Sequence, residues 1–417
     1  MRCTLLKLLS ALLVTASACS NGRTRSLGWA DTSAQAVVGA EDKVDSLRVN
    51  VYVDGTVSMS GFLAGGSSRY TGFLDGVESA LQNGLRRADV HYFKFGRVVR
   101  ELDRAGFRAA RTPSFYAEHG ISDVTQIDSV IQCDSGAQVT VAVTDLFQDE
   151  GDVQSIVSRI KNRCFAKGAA VGILAIPSEF NGMVYDAVVP PYPYSSTGDA
   201  ATYRPFYAVM LGAPEHLERI HDALRAANVH QGDFVLISPH VVRQFEVKMT
   251  KSRDSRDLNR RAEAAPGHFR FDVRRGGAGG TAIADIMIRL KPSAPDFRAE
   301  RLGLTALRRG AGSDSVQTAD FTLERVQRTA AGVTATLSLH APSEPGNYAY
   351  QLSLVTDPLD GFLMPAWVAR LSSPNPTAQA DPNKTLNLET FVTDLRHAAS
   401  SVHPPELARW YVDLRRL

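Results

Sequence analysis

The chain has 417 residues, 44% of them hydrophobic and 22% charged, with 46 basic residues against 44 acidic. Such a length and composition describe two or three globular domains with ample apolar material, and exclude a disordered or fibrous chain. A net charge of +2 leaves no electrostatic footprint for nucleic acid or a strongly acidic substrate. The basic run from Lys251 to Arg261 and the pair Arg308–Arg309 lack interleaved aromatics and read as solvated loop or face.

Residues 1–18 read as a secretory signal peptide. Met1-Arg2 and Lys7 supply positive charge, and Leu8 to Ala16 is an apolar stretch too short to span a bilayer. The small residues Ala16-Ser17-Ala18 directly before Cys19 resemble the lipobox of bacterial lipoproteins, with Ala16 where that motif usually has Leu. The resemblance implies lipidation of Cys19, and Ser20 after it, rather than Asp, implies an outer-membrane lipoprotein facing the periplasm or the surface. A soluble periplasmic protein is the alternative. No other segment is long and apolar enough to cross a membrane. Residues 19–46 are small and polar and read as a flexible tether. Cys133 and Cys164 are the remaining cysteines of an exported chain and form a disulfide candidate, with two buried free thiols as the alternative.

From residue 47 strands and helices alternate. Leu47 to Val53 is a β-rich apolar run, and Tyr70 to Leu85 has helical spacing with Phe73, Val77, Leu81 and Leu85 on one face. Val90 to Phe95 is a second strand, with Arg97 to Leu102 returning as a hairpin partner. Asp128 to Cys133 closes a helical segment; Val139 to Thr144 is a buried strand, Val153 to Cys164 a helix, and Ala169 to Ile176 another buried strand. Strands this apolar, separated by helices, predict a mostly parallel sheet covered on both faces. Phe206 to Leu211 is its last strand and Glu215 to Ala226 its last helix, closing an α/β domain over 47–230.

Residues 177–204, with Pro190, Pro191, Pro193 and the tyrosines 185, 192, 194 and 203, read as a partly β insertion at one end of the sheet. Its tyrosines either line a partner surface or pack onto the sheet edge. Short alternating segments then predict a β-rich, sandwich-like domain over 231–358. Residues 359–417 read as a helical tail, with Trp367, a helix at Leu388 to Ala398 and an amphipathic turn around Trp410.

Three separated pieces fit one site: Asp54-Gly55-Thr56-Val57-Ser58 after the first strand, Ser122-Asp123-Val124-Thr125 in a loop, and Thr144-Asp145 at the tip of a central strand. Ligands bind outside the carboxyl ends of parallel strands, where such loops converge. The pieces offer two carboxylates and three hydroxyls, hard oxygen donors suited to Mg²⁺ or a similar cation. Alternation in Asp54-x-Thr56-x-Ser58 lets a turn point every second side chain at one spot.

The ordered triple resembles the metal-ion-dependent adhesion site of von Willebrand factor A domains. That resemblance implies a Rossmann-like α/β fold and a metal set of Asp54, Thr56, Ser58, Thr125 and Asp145. The sequence departs from the family at Thr56, where Ser is usual, and at Leu146, where Gly often follows the distal Asp. It implies Mg²⁺ or Mn²⁺ bridging the chain to an acidic side chain of a protein partner, with no enzymatic role. The alternative is a scaffold subunit of an envelope complex, with a structural metal and contacts through the β-rich domain.

Val53-Asp54-Gly55-Thr56 also looks like the first motif of haloacid-dehalogenase phosphatases, but Tyr52 stands where their nucleophilic Asp belongs, and a phenol cannot form the aspartyl phosphate. Gly276 to Gly280 lacks the Lys-Ser/Thr of a phosphate cradle and reads as a loop.

Overall fold

The computed structural model describes residues 47–85, 88–133, 136–146, 153–186, 189–251, 258–261, 267–274, 282–292, 297–310, 313–329, 332–356, 364–374, 381–402 and 406–417. Residues 1–18 and 19–46, expected as a leader and a tether, the lipidation candidate Cys19, and Gly276–Gly280, expected as a loop, lie outside the described residues. The protein is a mixed α/β molecule with several sheets.

Strand β1 (Leu47–Asp54) is buried at every position but one, as expected of a strand covered on both faces. Helix α1 (Arg69–Gly84) starts on a capping box: Ser68 N donates to Thr71 Oγ1 at 2.9 Å, and Thr71 N donates to Ser68 Oγ at 3.2 Å. Its apolar stripe, Phe73, Val77 and Leu81, is buried. There follow β2 (Ala88–Phe95), β3 (Val99–Leu102), α2 (Arg104–Arg108), β4 (Gln138–Thr144), α3 (Val153–Arg163) and β5 (Ala170–Ser178). The hairpin β6 (Asn181–Asp186) and β7 (Val189–Ser195) precedes β8 (Arg204–Gly212), α4 (Pro214–Ala226) and β9 (Asp233–Ile237).

These strands form a seven-stranded sheet in the order β3-β2-β1-β4-β8-β5-β9. Strands β2, β1 and β4 run parallel. The expectation of a mostly parallel sheet is corrected beyond them: β8 enters between β4 and β5 antiparallel to both, β9 lies antiparallel to β5, and β3 antiparallel to β2. The apolar run of β8, buried at all nine positions, announces a central strand but not its direction. Direction is set by the connection. Between β5 and β8 the chain leaves through a hairpin instead of a crossover helix, so it returns antiparallel.

One face of the sheet packs on α1 and α4 through residues such as Phe73, Leu217 and Leu224. The other is covered by α3 and by two helices from far along the chain, α5 (Ala366–Leu371) and α6 (Leu388–Ser400), through Ile156, Trp367, Phe391 and Leu395. The segment expected as a helical tail is therefore divided between two cores, and the first unit extends past residue 230 to include β9.

The second unit contains β10 (Val242–Lys251), β11 (Leu258–Arg260), β12 (His268–Val273), β13 (Ala282–Pro292), β14 (Gly303–Gly310), β15 (Ser313–Gln317), β16 (Phe321–Thr329), β17 (Gly332–His340) and β18 (Gly346–Val355). After the small parallel pair β19 (Ser372–Ser373) and β20 (Thr385–Leu386), the chain adds β21 (Glu406–Arg416). Sheets of order β10-β13-β17-β16 and β11-β12-β21-β18-β14-β15 share one core, which includes Phe271, Ile286, Leu337, Leu352 and Trp410. Trp410 thus lies on a central strand rather than an amphipathic turn, buried together with its neighbours Tyr411 and Val412.

Cys133 and Cys164 are joined by a disulfide, with Cα atoms 5.2 Å apart and a sequence separation of 31. It ties the end of the loop before β4 to the end of α3. Replacing both by Ser is expected to lower stability by about 2–4 kcal/mol through the freed loop of the unfolded chain. Denaturant titration of the oxidised protein and the double variant, both under non-reducing conditions, checks this; equal midpoints would show the bridge to be without consequence.

Candidate functional site

Because β1 and β4 are parallel and in register, with Val53 opposite Val143, their carboxyl ends place Asp54 and Thr144 side by side. Asp54 is fully buried. Its Oδ1 accepts from Thr56 N at 3.0 Å and from Thr56 Oγ1 at 2.7 Å, and its Oδ2 accepts from Thr144 Oγ1 at 2.8 Å. Thr56 Oγ1 lies 3.2 Å from Ser58 Oγ, and Thr125 Oγ1 donates to Thr56 Oγ1 at 3.0 Å. The turn after β1 and the distant loop therefore meet through hydroxyls, with Asp54, Thr56, Ser58 and Thr125 in one hydrogen-bonded cluster.

Asp145 is buried at the end of β4. Burial first, and the charge of Asp145 second, push the Asp54 carboxyl up to about 7, against the lowering pull of its bonds from Thr56 and Thr144. Leu146 follows with φ 62°, the left-handed region that glycine enters freely and leucine enters at a cost of about 1 kcal/mol. Its N–H donates to Thr144 Oγ1 at 3.2 Å, which helps hold the turn.

Chemically the cluster offers two carboxylates and three hydroxyls. Among the described residues there is no group of three or more His, Cys, Asp or Glu placed for a metal, so any ion here relies on oxygen donors of mixed charge. The helical segment expected over Asp128 to Cys133 is a single 3-10 turn, Ile127–Val130, so Thr125 sits in an extended loop rather than at a helix start.

Two residues of the site escape the sequence reading of ligands. Thr144 supplies a hydroxyl to Asp54; its position next to Asp145 is the available signal. Lys94 is fully buried beneath the Asp54 turn. A Cβ at Gly55 would lie 2.1 Å from Lys94 Cε, so a side chain there would have to displace the lysine stem on which the turn rests. Its signal is a lysine at the inward register of β2, on the same side as the buried Tyr92.

The hairpin β6–β7 packs on the 3-10 helix Val57–Gly66 that follows the turn. Phe180 meets Phe62 edge-on at 5.0 Å between ring centroids. Tyr192 and Tyr194 pack, half-buried, against the α1 side of the core. On the solvent side Val57 is 44% exposed and Met183 of the hairpin 38%.

Compared with known proteins, the chain matches no family model and no curated protein. The resemblance to von Willebrand factor A domains is corrected on that finding and on topology. The first sheet is mixed, β8 separates β4 from β5, and much of the chain lies in further β-sheets. The physical reason is that a D-x-T-x-S turn with a distant threonine specifies a local oxygen cluster, which folds of different topology can carry.

Proposed function

We propose that this chain is an envelope-anchored recognition protein in which Asp54, Thr56, Ser58, Thr125 and Asp145 hold a small divalent cation, Mg²⁺ or Mn²⁺, and present it to an acidic side chain of a partner protein. One observation carries the reading: two buried carboxylates and three hydroxyls converge from three separate segments at the carboxyl edge of β1 and β4. Two neighbouring buried anions are expensive without a compensating charge, and the raised Asp54 pKa expresses that cost. The donor set fits a hard cation. When bound, such an ion supplies the offsetting charge and a position for a partner's carboxylate. Asp54 and Asp145 supply the anionic donors, the hydroxyls orient around them, and exposed Val57 and Met183 offer apolar contact beside the cluster.

The envelope location is supported by the leader-like residues 1–18, by Cys19 after small residues, and by the Cys133–Cys164 bridge, which belongs in an oxidising compartment. Isothermal titration with Mg²⁺ and Mn²⁺ tests the site. Saturable binding is expected in the wild-type protein and none in Asp54→Ala. Absence of binding by the folded wild-type protein defeats the proposal.

A second reading is favoured by the burial of all five side chains: the ion is structural, and the protein is a scaffold that makes contacts through its β-rich unit. Asp145→Ala separates the two. Both readings predict that Asp145→Ala loses cation-dependent stability; recognition predicts that partner capture is lost with it, whereas the scaffold reading predicts capture retained.

A further inference from the structure

We infer that Lys94 is the positioning residue of this cation site, joining the Asp54 turn to the loop that carries Thr125 and so setting the affinity of the cluster. The inference rests on the cation-binding reading above. Lys94 lies one residue before the end of β2, with no exposed surface. Its stem fills the space under Gly55, and Gly55 N donates to Phe95 O at 2.8 Å, so the turn is seated on β2 by packing and by backbone. Its ammonium then leaves that turn for the other segment. It donates to the Phe115 carbonyl, pairs with Glu118 Oε2 at 2.9 Å and lies 4.6 Å from the centroid of the Phe115 ring.

Glu118 is held a second time, from β3, by both terminal nitrogens of Arg100. Its carbonyl accepts from Ile121 N at 3.3 Å and Ser122 N at 3.0 Å, which turns the chain toward Thr125. Arg97 N donates to Ile121 O at 2.9 Å, and a Cβ at Gly96 would lie 2.1 Å from that oxygen, so the turn presses directly on the end of β2. Thr125 Oγ1 then reaches Thr56 at 3.0 Å. The circuit from Gly55 through Lys94, Glu118 and the 118–122 turn closes on the residue next to where it began.

Packing alone does not account for the charge. A methionine fills the same space under Gly55 without burying an ammonium, and buried lysines are rare because that burial is costly. The ammonium is explained by what it grips. A ligand on a loop binds weakly unless its position is set beforehand, and outer groups that orient metal ligands are worth about ten- to hundredfold in affinity.

The test is Mg²⁺ titration of the wild-type protein, Lys94→Met, Thr125→Ala and the double variant. Lys94→Met is expected to weaken binding by about ten- to hundredfold. In the Thr125→Ala background the same change is expected to alter the Kd by less than about twofold, because the two act in series. Hydrogen exchange gives an independent readout: the Ile121 and Ser122 amides are expected to exchange faster in Lys94→Met, with those of α4 unchanged. Equal affinity of wild type and Lys94→Met overturns the inference, as does an equal loss in both backgrounds or uniformly faster exchange. If Lys94→Met does not fold, Glu118→Gln carries the same cycle. Absence of Mg²⁺ binding by the wild-type protein overturns the cation reading itself, whereas failure of this inference leaves wild-type binding intact.

Discussion

Asp54→Asn is expected to raise the melting temperature of the cation-free protein at pH 8 and to erase its response to Mg²⁺. The Asp54 carboxyl keeps its proton up to about 7 in the folded protein, above the ordinary carboxylate range, because it is buried and faces Asp145. Over that interval the native state binds more protons than the unfolded chain, so stability is full at low pH and lost as pH rises through about 7. One proton gives a slope of at most about 1.4 kcal/mol per pH unit. Asparagine has the same shape. Its oxygen accepts from Thr56, and its amide donates to Thr144 Oγ1, which turns from donor to acceptor. The variant escapes the ionisation cost, a gain of at most about 4 kcal/mol at pH 8, or several degrees for a protein of this size.

Cation at about a hundredfold its Kd is expected to stabilise the wild-type protein by about 2.7 kcal/mol and the variant not at all. Melting curves from pH 5 to 8, with and without Mg²⁺, check both halves. A wild-type protein whose stability is flat across that range would show Asp54 already ionised and balanced by other charge, and the need for a cation would disappear.

Trp410→Ala is expected to cost about 3–5 kcal/mol, the range for deleting a large aromatic from a packed core. Trp410 is fully buried within the core of the second unit, on a strand flanked by β12 on one side and β18 on the other. Among the described residues its indole N–H has no hydrogen-bond partner. Trp410→Phe therefore deletes an unsatisfied donor along with some volume, and is expected to cost distinctly less than the alanine change. Differential scanning calorimetry of the three proteins decides. A loss below about 1 kcal/mol in Trp410→Ala would mean that the core relaxes into the space left.

The parts of the fold that the sequence discloses are those governed by local rules. Phe73, Val77 and Leu81 mark α1 by their spacing, and β1, β4 and β5 mark themselves as largely apolar, β-rich runs. The Asp54 turn is legible for the same reason, since alternation at 54, 56 and 58 fixes which side chains share a spot. Relations between distant segments are less accessible. The direction of β8 depends on how the chain returns from the β6–β7 hairpin, and the apolar stripe of α6 does not say which sheet it covers. Lys94 is hidden by its own chemistry. A lysine in Val-His-Tyr-Phe-Lys-Phe reads as a solvent-facing residue until Glu118, 24 positions away, is seen at its ammonium. The Thr125 loop is recognisable as a pattern, but what anchors it is not.

The placement of β21 has a consequence for the order in which the molecule can be assembled. Strand β12 is complete at Val273 and β18 at Val355, yet the strand that joins them begins only at Glu406, after α5 and α6 have crossed to the first sheet. In a chain that emerges from its N-terminus, two strands wait with open hydrogen-bonding edges while residues 356–405 follow. During that interval an edge-binding chaperone or a second nascent copy competes for the place of β21. The yield of folded protein is then governed by a race between arrival and mispairing, which the stability of the finished molecule does not report.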